Sequence, residues 1–173
     1  MTTANAGSNS DAVITGYRVQ LAALTRLLHK EGILTYSGHA SIRIPGRDAF
    51  MIQSINDSRA GINPEGLLIC DFDCNLLEGP AGDRPPVEAH IHAQILRARP
   101  DIETVVHTHS ELAAMFTMIE GVELALMKSH AQRWKSGVPI HGDPSHILSA
   151  RQGQELAKTL GDNNGALLRA HGG

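Results

Sequence analysis

The most constraining stretch of the chain is Val105-Val106-His107-Thr108-His109-Ser110, an apolar run that delivers two histidines at i and i+2. Side chains alternate across a strand, so a strand ending here projects His107 and His109 from one face and Thr108 from the other. Neutral imidazole is the commonest nitrogen ligand for zinc and similar divalent ions, and a pair presented in this way suits a metal site. Two histidines at a strand end suit ordinary polar residues equally well, so the metal reading needs support from elsewhere in the chain.

Two features supply it. Glu88 opens a predicted helix upstream, and His171 follows a second apolar run, Gly165-Ala166-Leu167-Leu168-Arg169-Ala170. A catalytic zinc-type site commonly has three protein ligands and one open position, with a carboxylate outside the ligand set to move protons. His107, His109 and His171, with Glu88, are residues of the right kind and number.

The 173 residues suit one domain, long enough to bury roughly two thirds of the surface the unfolded chain exposes. A formal charge of -3 lacks the basic excess of nucleic-acid binders, so neither DNA nor RNA is expected as a partner. Cys70 and Cys74 form a C-x-x-x-C spacing that is neither a redox pair nor a zinc ribbon. They read as small residues in or beside a strand, in a reducing and therefore cytoplasmic setting. Residues 1–10 are small and polar and are expected to form a disordered tail, with residues 11–173 as the domain. No run approaches the ~20 apolar residues needed to cross a bilayer, so no membrane partner is expected. Of the ten histidines, His29 and His146 read as surface residues.

From Asp11 to Lys30 the apolar positions Val13, Ile14, Tyr17, Leu21, Leu24, Leu27 and Leu28 recur at spacings of three and four, which predicts an amphipathic helix stopped by Gly32. Residues 40–44 and 49–53 alternate around Pro45-Gly46-Arg47-Asp48 and predict a hairpin with a four-residue loop. A third strand is expected at 67–71, a turn at 73–75 leading into Leu76-Leu77, and a loop from Glu78 to Pro86. The two prolines there lead into a helix ending near Arg99, with Val87, Ile91, Ile95 and Ala98 as its apolar stripe. A strand over 104–109, a helix over 110–119, extended pieces at 124–127 and 138–140, a helix over 145–160 and a strand over 166–168 complete the reading. Without regular βαβ alternation, this order predicts a largely antiparallel or mixed sheet with helices on its faces.

The chain resembles the class II aldolase/adducin family. The resemblance rests on Gly38-His39-Ala40-Ser41-Ile42-Arg43, Asn63-Pro64-Glu65-Gly66, Glu88 with His92, the run Arg99-Pro100-Asp101 to His107-Thr108-His109-Ser110, and Leu167 to Gly172. It implies a three-layer α/β/α fold around a mostly antiparallel sheet. It also implies one divalent metal ion per subunit, zinc or manganese, held by His107, His109 and His171, with Glu88 as the acid/base carboxylate. A homotetramer or larger ring with active sites between subunits is a further implication. Family domains continue past the His-Gly motif, so a chain truncated at the C-terminus is expected.

The departures bear on substrate. Sugar-phosphate aldolases of the family cradle a phosphate where His39, Glu65, Pro86 and Val87 are expected to stand here. Pro86 has no N–H, Val87 no hydroxyl, and Glu65 carries a charge of the wrong sign. The Gly-His-x-Ser-x-Arg-x-Pro pattern is similar to the branch that includes 3-hydroxy-2-methylpyridine-4,5-dicarboxylate decarboxylase. The resemblance therefore implies a metal-dependent carbon-carbon lyase, foremost a decarboxylase acting on a small, non-phosphorylated hydroxy, keto or aromatic carboxylate. Aldol cleavage of a hydroxy-carbonyl substrate is the alternative, and a non-catalytic adducin-like interaction module is a third reading. His39 is the second catalytic candidate. Arg43, Ser41 and His92 are candidates for substrate binding, with His92, one turn from Glu88, also placed to orient that carboxylate.

Overall fold

The computed structural model describes the backbone of residues 4–122, 124–125 and 127–173, and side chains from residue 11 onward within that range. The first helix, α1 (Ala4–Lys30), begins ahead of the start expected at Asp11, so the backbone of residues 4–10 continues the helix where a tail was expected. The amphipathic segment behind it provides a formed helix onto which small residues add at little cost, since nucleation and not propagation is the unfavourable step.

The hairpin follows as expected, with β1 (His39–Arg43) and β2 (Ala49–Ile52) joined by the four-residue Pro45–Asp48 loop plus Ile44, whose N–H donates to Ala49 O at 2.9 Å. Next come β3 (Leu68–Asp71), preceded by a 3-10 turn at Pro64–Gly66, and β4 (Leu76–Glu78). These strands and β5 (Thr104–His107) form one antiparallel sheet in the order β4-β3-β2-β1-β5. The two-residue side-chain period divides the sheet into two buried faces. Met51 and Ile69 meet Leu21 and Ala22 of α1 on one face. Phe50, Ile52, Leu68 and Cys70 on the other meet α2 (Ala89–Ala98) and α4 (Ala150–Leu160), giving the α/β/α layering.

α2 is buried more broadly than a single stripe. Ala89, Ile91, His92, Ala93, Gln94, Ile95 and Leu96 are all covered, because the sheet lies on one side and α4 on another, while Val87 and Ala98 at the two ends are exposed. Between β5 and α4 lie α3 (Glu111–Met118), capped by Ser110, and a 3-10 segment at Ser129–Trp134. The extended piece expected at 124–127 includes Leu126, which lies outside the described residues. A short parallel pair, β6 (Ile140–His141) and β7 (Leu167–Leu168), flanks α4.

Two departures from the expected boundaries, and one tie between distant segments, serve the site. β5 stops at His107, leaving His109 on the following turn. α4 starts at Ala150, capped by Ser149, and not at Ser145, because Ile147 turns inward and its N–H bonds to Glu88. The last residues are tied down by the end of β5, where Thr108 N–H donates to Gly173 O at 2.7 Å and Gly173 N–H donates to Thr108 O at 3.0 Å. Gly172 is required there, since a Cβ would lie 2.0 Å from the Thr108 carbonyl oxygen.

Candidate metal and acid/base site

His39 and His107 are register partners on neighbouring strands β1 and β5, and Glu88 occupies the N-cap position of α2. Short polar side chains at such a position usually cap the helix. The Glu88 side chain makes no such bond and turns into the protein instead, where the main-chain N–H of Ile147 donates to its Oε1 at 3.0 Å.

The other oxygen of Glu88 faces three imidazoles. Its Oε2 lies 3.5 Å from His107 Nε2, 3.8 Å from His109 Nε2 and 3.4 Å from His171 Nε2. The ring nitrogens are closer still to one another, 2.8 Å between His107 and His109 and 3.0 Å between His109 and His171. One ligand atom from each of the four residues falls within a span of 4.8 Å. The sequence-derived quartet is therefore a single cluster, assembled from β5, the turn after it, the start of α2 and the segment after β7.

The donor chemistry fits a divalent cation. His107 Nδ1–H donates to Gly173 O at 3.2 Å, which leaves Nε2 as a lone pair pointing into the cluster. His109 Nδ1 lies 2.6 Å from the Ser37 hydroxyl, which can accept its proton and so permit the same tautomer. Burial opposes charge on His107 although Glu88 favours it, and the imidazole is held below its ordinary value. Burial works against ionisation of Glu88 as well, but the facing imidazoles and the Ile147 N–H outweigh it and hold the carboxyl well below the usual carboxylate range. Imidazole nitrogens and a carboxylate converging on one point are a donor set for a hard-to-borderline divalent ion.

The cluster opens into a cleft of about 510 Å³ lined by His39, Arg59, Pro86, Val87, His146 and Tyr36 among others. His39 is nearly buried in its wall. Its Nδ1 lies 2.6 Å from His92 Nε2, and His92 Nδ1 lies 2.7 Å from Ser41 Oγ. Burial, reinforced by His92 and His107, keeps His39 far below its ordinary value, and burial brings His92 down to about 3.

Several expectations need correcting. Ser41 and His92 are fully buried behind His39, so neither reaches a substrate, and His92 holds His39 and not Glu88. Arg43 lies two alternations further along β1, at the opposite end of the strand from the cleft. Its guanidinium donates to the carbonyl oxygens of Leu96, Ile102 and Arg99 at the end of α2 and sits 5.5 Å from the Phe72 ring centroid. It ties down orphan helix carbonyls, a structural role. Glu65 is exposed on the Pro64–Gly66 turn and does not line the cleft, so its charge does not bear on a phosphate there.

Two residues went unrecognised in the sequence. His146 is exposed, as read, but stands at the cluster, with its Nδ1 3.4 Å from Glu88 Oε1 and its ring 5.1 Å from that of His171. Arg59 reaches the cleft from the loop after β2. Neither stands in a motif, and only the fold brings them to the cluster.

Comparison with known proteins agrees with this geometry. Residues 19–173 match the model of the Class II Aldolase and Adducin N-terminal domain. A probable L-ribulose-5-phosphate 4-epimerase of Mycoplasma pneumoniae is 27% identical over 128 residues, covering 73% of this chain and 52% of that protein. The 3,4-dihydroxyphthalate decarboxylase of Arthrobacter keyseri is 28% identical, over 91% of this chain and 67% of that protein. Among solved structures, an aldolase II superfamily protein from Pseudomonas syringae superposes with a TM-score of 0.80 at 27% identity, covering 91% of this chain and 64% of that one. This chain thus spans between about half and two thirds of the length of these relatives. The fold, the histidine cluster and the family model converge, and the chain belongs to the class II aldolase and adducin family.

Proposed function

We propose that this protein is a divalent-metal-dependent carbon-carbon lyase, a decarboxylase of a small non-phosphorylated hydroxy, keto or aromatic carboxylate. The observation that carries this reading is the convergence of His107, His109, His171 and Glu88 on one point, with Glu88, His109 and His171 facing a cleft in which Pro86 and Val87 carry no hydroxyl.

His107, His109 and His171 hold the ion, zinc or manganese. A cation in that position supplies Lewis-acid stabilisation of the enolate-like charge left when the carbon-carbon bond breaks. Glu88 does the proton work. As a carboxylate it takes the proton of the substrate hydroxyl. The electron pair of the breaking bond moves into the adjacent unsaturated system as carbon dioxide leaves, and Glu88 delivers the hydroxyl proton to the carbon that carried the carboxylate, leaving the oxygen as the anion that solvent then protonates. The Ile147 N–H on Oε1 keeps Oε2 aimed at the reacting centre.

A second reading, action on a sugar phosphate, has one observation in its favour: Glu65 stands outside the cleft while Arg59 stands within it. Parallel assays of carbon dioxide and aldehyde release by the metal-loaded protein, across hydroxy-carboxylates and ketose phosphates, separate the two. Carbon dioxide from a carboxylate supports the decarboxylase, and aldehyde from a ketose phosphate alone rejects it.

In this reading the protein works in the cytoplasm as a homotetramer. The exposed side chains of Leu112, Met115 and Met118 along α3 support self-association, since an apolar face of this kind is a usual contact surface.

A further inference from the structure

We propose that Arg59, with the Nε2–H of His39 beside it, is the subsite that holds a carboxylate of the substrate. The inference rests on the reading of the cleft as a carboxylate-processing site and assigns the residues that recognise the charge.

Arg59 is half-buried in the cleft wall, and its donors are engaged only by neutral oxygens. Its Nε donates to Gly38 O at 3.0 Å and its Nη1 to Asp57 O at 3.0 Å. With the buried amide of Gln53 turned so that its oxygen faces the guanidinium, that oxygen accepts from Nε at 3.0 Å and Nη2 at 3.2 Å. Among the described residues the guanidinium makes no ion pair, and the Asp57 carboxylate accepts instead from the Ser54 N–H at 2.8 Å. A guanidinium has five N–H groups, so one remains on each Nη. Two free donors on a positive charge that has no direct ion-pair partner among the described residues, with the Asp57 carboxylate acting on it only from a distance, match the two oxygens of one carboxylate.

The polarity of the buried chain behind His39 sets the third donor. The Ser41 hydroxyl is fully buried, and among the described residues its one partner is His92 Nδ1 at 2.7 Å. An orphaned buried hydroxyl hydrogen costs roughly 1–3 kcal/mol, so Ser41 donates and His92 Nδ1 accepts. Neutral His92 then carries its proton on Nε2 and donates to His39 Nδ1 at 2.6 Å. Neutral His39 in turn carries its proton on Nε2, the ring nitrogen left for the cleft. His39 acts here as a hydrogen-bond donor to an anionic oxygen, not as a base. Because Arg59 is bonded to the carbonyl of Gly38, the residue before His39, both donors belong to one wall.

The test is calorimetric titration of the metal-loaded full chain with 3,4-dihydroxyphthalate, with catechol, which shares the hydroxylated ring but has no carboxylate, and with ribulose 5-phosphate. The wild type should bind the dicarboxylate more tightly than catechol. Arg59→Gln should weaken dicarboxylate binding by about tenfold or more, with catechol changed by less than about twofold, because a charge-assisted bidentate contact is lost. Should Arg59→Gln fail to fold, Arg59→Lys decides, with a smaller loss confined to the dicarboxylate. Histidine-selective ¹⁵N spectra should show His39 protonated at Nε2. No wild-type preference for the dicarboxylate, equal losses for both ring probes, losses confined to ribulose 5-phosphate, or His39 protonated at Nδ1 would each overturn the subsite. Carbon dioxide release with an unchanged KM in Arg59→Gln would defeat this inference alone. Arg59-dependent binding without carbon dioxide release would defeat the decarboxylase reading alone.

Discussion

The main-chain N–H of Ile147 donates to Glu88 Oε1 at 3.0 Å across 59 residues of sequence, so the loop before α4 holds the carboxylate at the start of α2. An amide at position 88 keeps an acceptor for that N–H but cannot carry a proton between substrate atoms. Glu88→Gln should therefore fold normally and lose about a hundredfold or more in turnover, with metal content unchanged by elemental analysis. Loss of the metal along with activity would make Glu88 a ligand.

His107 and His109 approach each other at their Nε2 atoms, 2.8 Å apart, with His171 Nε2 3.0 Å from His109. Replacing either of the first two with alanine removes one of three lone pairs from the cluster while leaving the two apolar cores intact. Each variant should retain its far-UV circular dichroism and lose about one equivalent of bound metal per chain. Full metal content in both would show that the ion sits elsewhere.

Discrimination against phosphate rests on Pro86 and Val87 once Glu65 is removed from the argument, since His39 keeps an N–H donor. Each missing charge-assisted hydrogen bond is worth roughly 1.5–3 kcal/mol. An unphosphorylated hydroxy-carboxylate should thus show a higher kcat/KM than a ketose phosphate in a side-by-side comparison. The reverse order would return the protein to sugar-phosphate chemistry.

α4 crosses α2 at Gly153, where an added Cβ would stand 2.5 Å from His90 O and 2.8 Å from Gln94 Cγ. Gly153→Ala must push the helices apart, and overpacking of this kind costs typically about 1–3 kcal/mol. Thermal unfolding should show a lower Tm, and because Glu88 begins α2 and Ile147 precedes α4, turnover should fall too. An unchanged Tm would mean that the crossing yields easily.

What the sequence determined by itself is local. The β1–β2 hairpin is legible because Pro45–Asp48 interrupts two alternating runs, and the helical stretch from Asp11 to Lys30 because a 3.6-residue period needs only its own side chains to be visible. His107 and His109 stand out because they end such a run, and the resemblance added His171 and Glu88. Tertiary structure decided which polar residues those elements bring together. Ser41 and Arg43 share a β1 face with His39, yet the one is sealed behind a histidine and the other ties down helix carbonyls at the far end of the strand. Glu65 carries its charge outside the cleft, while His146 and Arg59, from loops with no periodicity, enter it. Loops owe their course to contacts with distant segments, and neither burial nor a hydrogen-bond partner many residues away leaves a mark on local sequence pattern.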